Sequence, residues 1–372
     1  MSKKFLDVLD FVVDVPVGRE PVVLQLTDPQ IIDSSQQRSQ GMLSEAETEL
    51  WAPDKREERC FKYLREVIEE TKPDLILLTG DQVYGIFDDN GSNLLALIDF
   101  MESFGIPWAP INGNHDPENN MGVDWQSKQY EKAEHCLFKQ NQYFDGKVIM
   151  GNGNYTVGIT QGGKLTRVFF MMDSNAYDYC DKIEVKNDHS TGWVGFCCGQ
   201  EEWCTEKIEE IKAISPETKL AFAFHCQSHR FLKVFEKYGY TGEEIVDGVD
   251  TIVIDDHPDK SEGDFGFLAS NIPQYGRWDP EETMTDKLIE LGVDAFLVGH
   301  LHVLAASVVY EGIRYQFGLK SSEYCSFPAL NEEGKIVRAV TSQGVKPIVG
   351  GTVMTLDKKG EINGAYNYIC KK

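Results

Sequence analysis

The stretch KPDLILLTGDQVYG, residues 72–85, decides the fold. Its apolar run Leu75–Leu78 is short and stops at Thr79-Gly80-Asp81. Such a run reads as a strand buried on both faces, the habit of parallel sheets. Upstream, VVLQL (Val22–Leu26) is a similar run ending at Thr27-Asp28. Between the two, Phe61, Leu64, Val67 and Ile68 recur at helical spacing within residues 55–70, with Asp54 available as N-cap. Leu94, Leu95, Leu97 and Ile98 mark a second helical stretch, and a third strand near Trp108–Ile111 runs into Asn112-Gly113-Asn114-His115-Asp116. The order β-α-β-α-β implies parallel strands joined by right-handed crossovers.

Further along, Val168–Asp173 reads as a strand, residues 200–214 as a helix, and Leu220–Phe224 as a strand ending at His225. Residues 281–291 read as a helix before Ala295–Val298, which ends at Gly299-His300-Leu301-His302. The remainder reads as mostly antiparallel strands. The expected architecture is α/β: two packed mixed β-sheets flanked by helices, in a single domain over residues 1–372. Its core spans about residues 20–320, residues 226–293 form an acidic surface excursion that covers the site, and residues 321–372 supply C-terminal strands.

A formal net charge of -24 in 372 residues argues against a nucleic-acid or anionic membrane partner, because binders of phosphate backbones concentrate Lys and Arg. Asp7, Asp10 and Asp14 break the apolar run near the N-terminus, so no signal peptide is expected. No stretch approaches the ~20 uninterrupted apolar residues of a membrane span. Nine cysteines, with Cys197, Cys198 and Cys204 the only cluster, point to free thiols and a cytoplasmic setting.

Asp28, Asp81, Asn114 with His115, His225, and His300 with His302 each follow an apolar run. Ligands bind beyond the carboxyl ends of strands in open α/β sheets, so residues distant in sequence can meet at one rim. Two cations ~3.5–4 Å apart polarise a phosphoryl oxygen and acidify a water, and a carboxylate suits the position between them. Imidazoles and an amide fill the remaining positions without adding charge. With only two carboxylates, the pair keeps a positive surplus that can hold a phosphate in an acidic protein.

The pattern D-x-Q…GD-x-x-Y…GNHD…H…GHLH resembles the calcineurin-like metallophosphoesterase superfamily, and within it the purple-acid-phosphatase-like branch that includes Dcr2-type phosphatases. The resemblance runs from Leu26 to about Tyr324 and implies an αββα sandwich with a dinuclear Fe, Mn or Zn centre. It implies that Asp28 and His302 bind metal 1, that Asp81 bridges, and that Asn114, His225 and His300 bind metal 2. His115 would face the phosphate, stabilising the transition state or protonating the leaving oxygen, with Asp116 orienting its ring. Gln30 departs from the pattern, since most members carry His there. Metal 1 is then completed by the Gln30 amide oxygen, by a Tyr84 phenolate or by water, unless Tyr84 is simply an aromatic in the wall. A phenolate favours trivalent iron, and a Gln oxygen favours Mn or Mg.

Other candidates have plainer readings. His225 and His229 mimic a helical zinc pair but straddle a strand end. Plain structure is expected of His229 and Asp173-Ser174, helix packing of Trp193–Trp203, and surface positions of His135, His189 and His257. Lys320 is expected to be a solvated lysine, and residues 255–264 a solvated face. The expected function is hydrolysis of a phosphomonoester by in-line attack of hydroxide formed at a dinuclear centre. The substrate would be a phosphorylated small molecule or a phosphoprotein. A phosphodiesterase on the same scaffold is the alternative, and a metal-depleted interaction scaffold the alternative of another class.

Overall fold

A computed structural model describes residues 5–36, 41–175, 196, 199–241, 251–255, 263–272 and 283–371. The parallel strands inferred around Asp81 are present. Val22–Leu26 pairs in parallel with Leu75–Thr79, which pairs in parallel with Trp108–Ile111. The hairpin Gly350–Leu356 and Ile362–Ile369 extends this sheet antiparallel from Val22–Leu26, giving five strands. Leu75, Ile76, Leu77 and Leu78 have no exposed surface, as expected of a strand covered on both faces.

The second sheet has nine strands and is also mixed. Lys164–Met171, Lys219–Ala223, Val293–Val298 and Ile313–Phe317 lie side by side in parallel at its centre. Antiparallel neighbours flank them. The edge strand Phe11–Val15, parallel to Tyr155–Gln161, was not anticipated, because Asp14 interrupts its apolar pattern.

The chain between His225 and Val293 is more than a surface excursion. Ile252–Asp255 and Phe265–Leu268 add two strands to the nine-stranded sheet, and Phe231 and Phe235 of the Arg230–Phe235 helix are wholly buried. Residues 242–250, 256–262 and 273–282 lie outside the described residues, as do His189, His257, Trp193, Cys197 and Cys198. Helices at Ser92–Glu102, Gln200–Ile214 and Thr283–Glu290 match the periodicity. Asp54 does not cap the Lys62–Thr71 helix; it sits inside a separate turn, Pro53–Lys55.

A buried polar ladder crosses from one sheet to the other. Ser307 Oγ donates to Gln316 Oε1 at 3.0 Å, and Gln316 Nε2 to Gln25 Oε1 at 2.7 Å. Gln25 Nε2 then donates to Thr79 Oγ1 at 3.0 Å and to the Val298 carbonyl at 2.9 Å. Each group is buried, so each bond removed leaves an unsatisfied partner. Gln25→Leu is expected to lower unfolding free energy in urea by about 1–3 kcal/mol. The double variant Gln25→Leu/Gln316→Leu should show a coupling of about 0.5–3 kcal/mol; additivity would mean the ladder does not act as a unit.

Candidate metal centre

The strand ends of both sheets meet at one rim. Asp28 and Asp81 leave the five-stranded sheet, His225 and His300 the nine-stranded one. Four rim residues bend the chain sharply: Asp28 (φ 51°), Gln30 (φ 44°), Asp81 (φ 52°) and His300 (φ 70°) occupy the left-handed region. That conformation is costly for a side chain with a Cβ, and its clustering marks a site held by its surroundings. The room is equally constrained. A Cβ on Gly113 would fall 2.3 Å from both the amide nitrogen and Oδ1 of Asp81, and one on Gly80 (φ +95°) 2.2 Å from His225 Nδ1. This is why the Asp and the Asn-His pair are each preceded by glycine.

Within the rim, ligand atoms of Asp28, Asp81 and His302 lie within 4.8 Å of one another, as do those of His225, Cys226 and His300. Asp81 Oδ2 joins the two groups at 3.4 Å from His225 Nε2, and Asn114 Oδ1 lies 3.1 Å from that same nitrogen. His225 Nδ1 is held by the Thr79 carbonyl at 2.8 Å, which turns Nε2 into the site. On the other side His302 Nε2 lies 3.3 Å from Asp28 Oδ1, a buried oxygen with no hydrogen-bond partner. Asp28 Oδ2, by contrast, accepts from Thr27 Oγ1 at 2.6 Å and from the His300 amide at 3.0 Å. An orphaned carboxylate oxygen amid convergent imidazoles fits a cation.

The charges are interdependent. Burial would raise the Asp28 carboxyl, but the His302 imidazole facing it and the His225 charge hold it to about 2. Burial opposes ionisation of Asp81 too, and His225 and His115 keep it well below the carboxylate range. Burial would lower His225, but Asp81, Asp28 and the Thr79 carbonyl together raise it to about 9. Burial, with His225 beside it, lowers His300 to about 3.

His115 sits at this rim with a different partner from the one expected. Its Nδ1 lies 2.9 Å from Glu118 Oε2, not against Asp116. Asp116 is turned inward, where Oδ2 accepts from the amides of Asp81 at 2.9 Å and Gly113 at 2.6 Å, and Oδ1 from Val83 at 3.1 Å. A carboxylate engaged by three amides has no direction left for an imidazole. Asp116 therefore shapes the site rather than orienting the His115 ring.

Gln30 lies between Lys320 and Asp81. Its Oε1 accepts from Lys320 Nζ at 3.0 Å, and its Nε2 donates to Asp81 Oδ2 at 3.2 Å, so its oxygen is turned away from the carboxylates. The Tyr84 ring lies flat on His115, with centroids 4.0 Å apart and planes at 23°, and the edges of Phe87 and Tyr324 close around it. Burial, with Glu118 nearby, raises its phenol. Lys320 is no solvated lysine: it is wholly buried, with Nζ 2.9 Å from the Asp28 carbonyl. Ser174 Oγ accepts from the Cys226 amide at 3.1 Å, fixing the backbone beside His225. His229 precedes the short helix Arg230–Phe235, so it shares no helical face with His225.

Glu118 and Lys320 are the contacts that sequence reasoning missed. Glu118 was detectable as the carboxylate three residues after His115. Lys320 follows another strand, Ile313–Phe317, and pairs across a bridge with Thr27.

The calcineurin-like phosphoesterase family model matches residues 22–304. The chain belongs to this family. Among curated relatives of this family chain, phosphatase DCR2 of Saccharomyces cerevisiae is 27% identical over 184 residues, 47% of this chain and 30% of the relative. Two Arabidopsis thaliana proteins named "probable inactive purple acid phosphatase" are 33% and 29% identical, over 38% and 36% of this chain and 36% of each relative. The chain thus aligns with about a third of the length of these relatives. Two solved structures are similar at 10% identity. A dimetal phosphatase from Danio rerio covers 94% of this chain and 97% of its own, at a TM-score of 0.45. A purple acid phosphatase from yellow lupin seeds covers 94% and 53%, at 0.40.

Two outcomes follow from the geometry. Asp116→Asn turns an NH2 toward at least one amide donor and is expected to cost about 1–3 kcal/mol of stability, measured by urea unfolding. In metal-free protein His225 is raised to about 9, so its stabilising charge is complete below ~6.5 and is lost as pH rises through 9. A cation must displace that proton, so affinity should rise up to about tenfold per pH unit below pH 9. Calorimetry in buffers of different ionisation enthalpy checks this; a pH-independent affinity refutes it.

Proposed function

We propose that the chain hydrolyses phosphate esters, phosphomonoesters foremost, at a two-metal centre held by Asp28, Asp81, Asn114, His225, His300 and His302. One observation carries the reading: these donors, from the strand ends of two sheets, converge around the shared Asp81 carboxylate, which lies 3.4 Å from His225. When bound, two cations of the Fe, Mn or Zn type supply Lewis acidity toward a phosphoryl oxygen and acidify a water. The chain's own residues do the rest. Asp81 balances charge between the two halves, and Asn114 adds a neutral oxygen. His115, its Nδ1 fixed by Glu118 at 2.9 Å, keeps Nε2 for the phosphate or the leaving oxygen. The Tyr84 face behind it limits the ring to that orientation.

The net charge of -24 favours a phosphorylated small molecule or phosphoprotein over nucleic acid as substrate. Among the described residues, Cys60, Cys136, Cys204, Cys226, Cys325 and Cys370 are free thiols, in keeping with a cytoplasmic setting. No helix among the described residues is long and apolar enough to cross a membrane. A second reading, a scaffold that has lost its metals, draws on the relatives named inactive and on Gln30.

Metal analysis of protein purified without chelator separates the two readings: bound metal supports the enzyme, and an empty centre supports the scaffold. His225→Ala should lose metal and turnover together. His115→Ala should keep its metal and lose roughly 10²–10⁴-fold in rate on an aryl phosphate. Full activity in that variant removes His115 from the mechanism. Faster turnover of a bis-aryl phosphate than of the aryl monoester would make the enzyme a diesterase.

A further inference from the structure

Lys320 places a buried ammonium against one half of the centre. Its Nζ donates to the Asp28 carbonyl at 2.9 Å and to Gln30 Oε1 at 3.0 Å. The second bond fixes the carboxamide, because the opposite orientation would set an NH2 against the ammonium, donor against donor. Gln30 therefore shows Asp81 its NH2, with Nε2 3.2 Å from Oδ2. The Asp28–His302 half thus gains no neutral oxygen from Gln30, and the carboxylate it would share already accepts a hydrogen bond. It also faces the Lys320 amino group, whose positive charge its cation must tolerate at low dielectric. The other half is not restricted in this way: Asn114 Oδ1 and His225 Nε2 stand 3.1 Å apart, and the Thr79 carbonyl orients the imidazole.

We propose that the centre is unequal by construction. The half at Asp81, Asn114, His225 and His300 holds its cation tightly. The half at Asp28 and His302 binds a divalent cation weakly and exchangeably, because Lys320 engages the Gln30 oxygen and adds its charge there. Lys320 and Gln30 act as positioning residues for the weak half, and the inference rests on the two-metal reading above.

Titration of chelator-stripped protein with Mn(II), followed by calorimetry and electron paramagnetic resonance, tests it. The first equivalent should bind tightly and give the six-line signal of an isolated ion. The second should bind roughly 10- to 100-fold more weakly, the usual reach of outer partners on metal affinity. Lys320→Met, which keeps the stem and removes the donor, should tighten the second site by a similar factor. Circular dichroism checks its folding, and Gln30→His, which adds a neutral nitrogen while Lys320 remains, should tighten the same site independently. Two equal sites in the unaltered protein, or a weak site unchanged in whichever variant folds, overturns the inference and leaves the two-metal reading standing. No Mn(II) bound at all overturns both.

Discussion

The carboxylate of Asp116 accepts from the amides of Asp81, Val83 and Gly113, tying together the chain that leaves two neighbouring parallel strands. Asp81 can then keep a left-handed backbone (φ 52°) and aim its carboxylate across the rim. From that carboxylate the arrangement spreads: Oδ1 accepts the His115 amide, and Oδ2 faces His225 and Gln30. Burial and the nearby Asp81 charge raise the Asp116 carboxyl to about 7, while the amides pull the other way. The centre thus rests on a buried carboxyl engaged by backbone amides rather than by a cation.

Much of this arrangement was legible in the residues. Short apolar runs ending in Asp or His have one reading in an α/β sheet, and Asp28, Asp81, Asn114, His225, His300 and His302 do gather at one rim. What escaped was set by side-chain direction. Asp116 and Glu118 flank the same short turn, Asp116–Glu118, and only its three-dimensional path decides which carboxylate reaches the imidazole. Lys320 looked solvated because lysine usually is, yet its strand runs beside the Thr27 strand end and takes the ammonium inward. Ile252–Asp255, an edge strand, and Phe265–Leu268 beside it were hidden by the acidic residues around them, since an edge strand keeps charge on its open side.

The net charge of -24 and the local charge of the centre act at different ranges. Exposed carboxylates are screened within about 10 Å at moderate ionic strength, whereas a buried cluster is hardly screened at all. Asp28, Asp81, His225, His115 and Lys320 therefore answer mainly to one another. An acidic surface keeps the molecule dispersed without setting the sign of the field inside the cleft.

The ladder from Ser307 through Gln316 and Gln25 to Thr79 has a bearing on how the rim keeps its shape. Two apolar sheet faces alone could slide, since dispersion forces are nearly indifferent to small shifts. Directional bonds are not: a displacement of one residue would break every rung at once. The ladder is a register pin set directly beneath the rim, with Thr79 belonging to both. Donors contributed by separate sheets therefore keep their spacing, and filling the proposed centre would need no refolding of the walls.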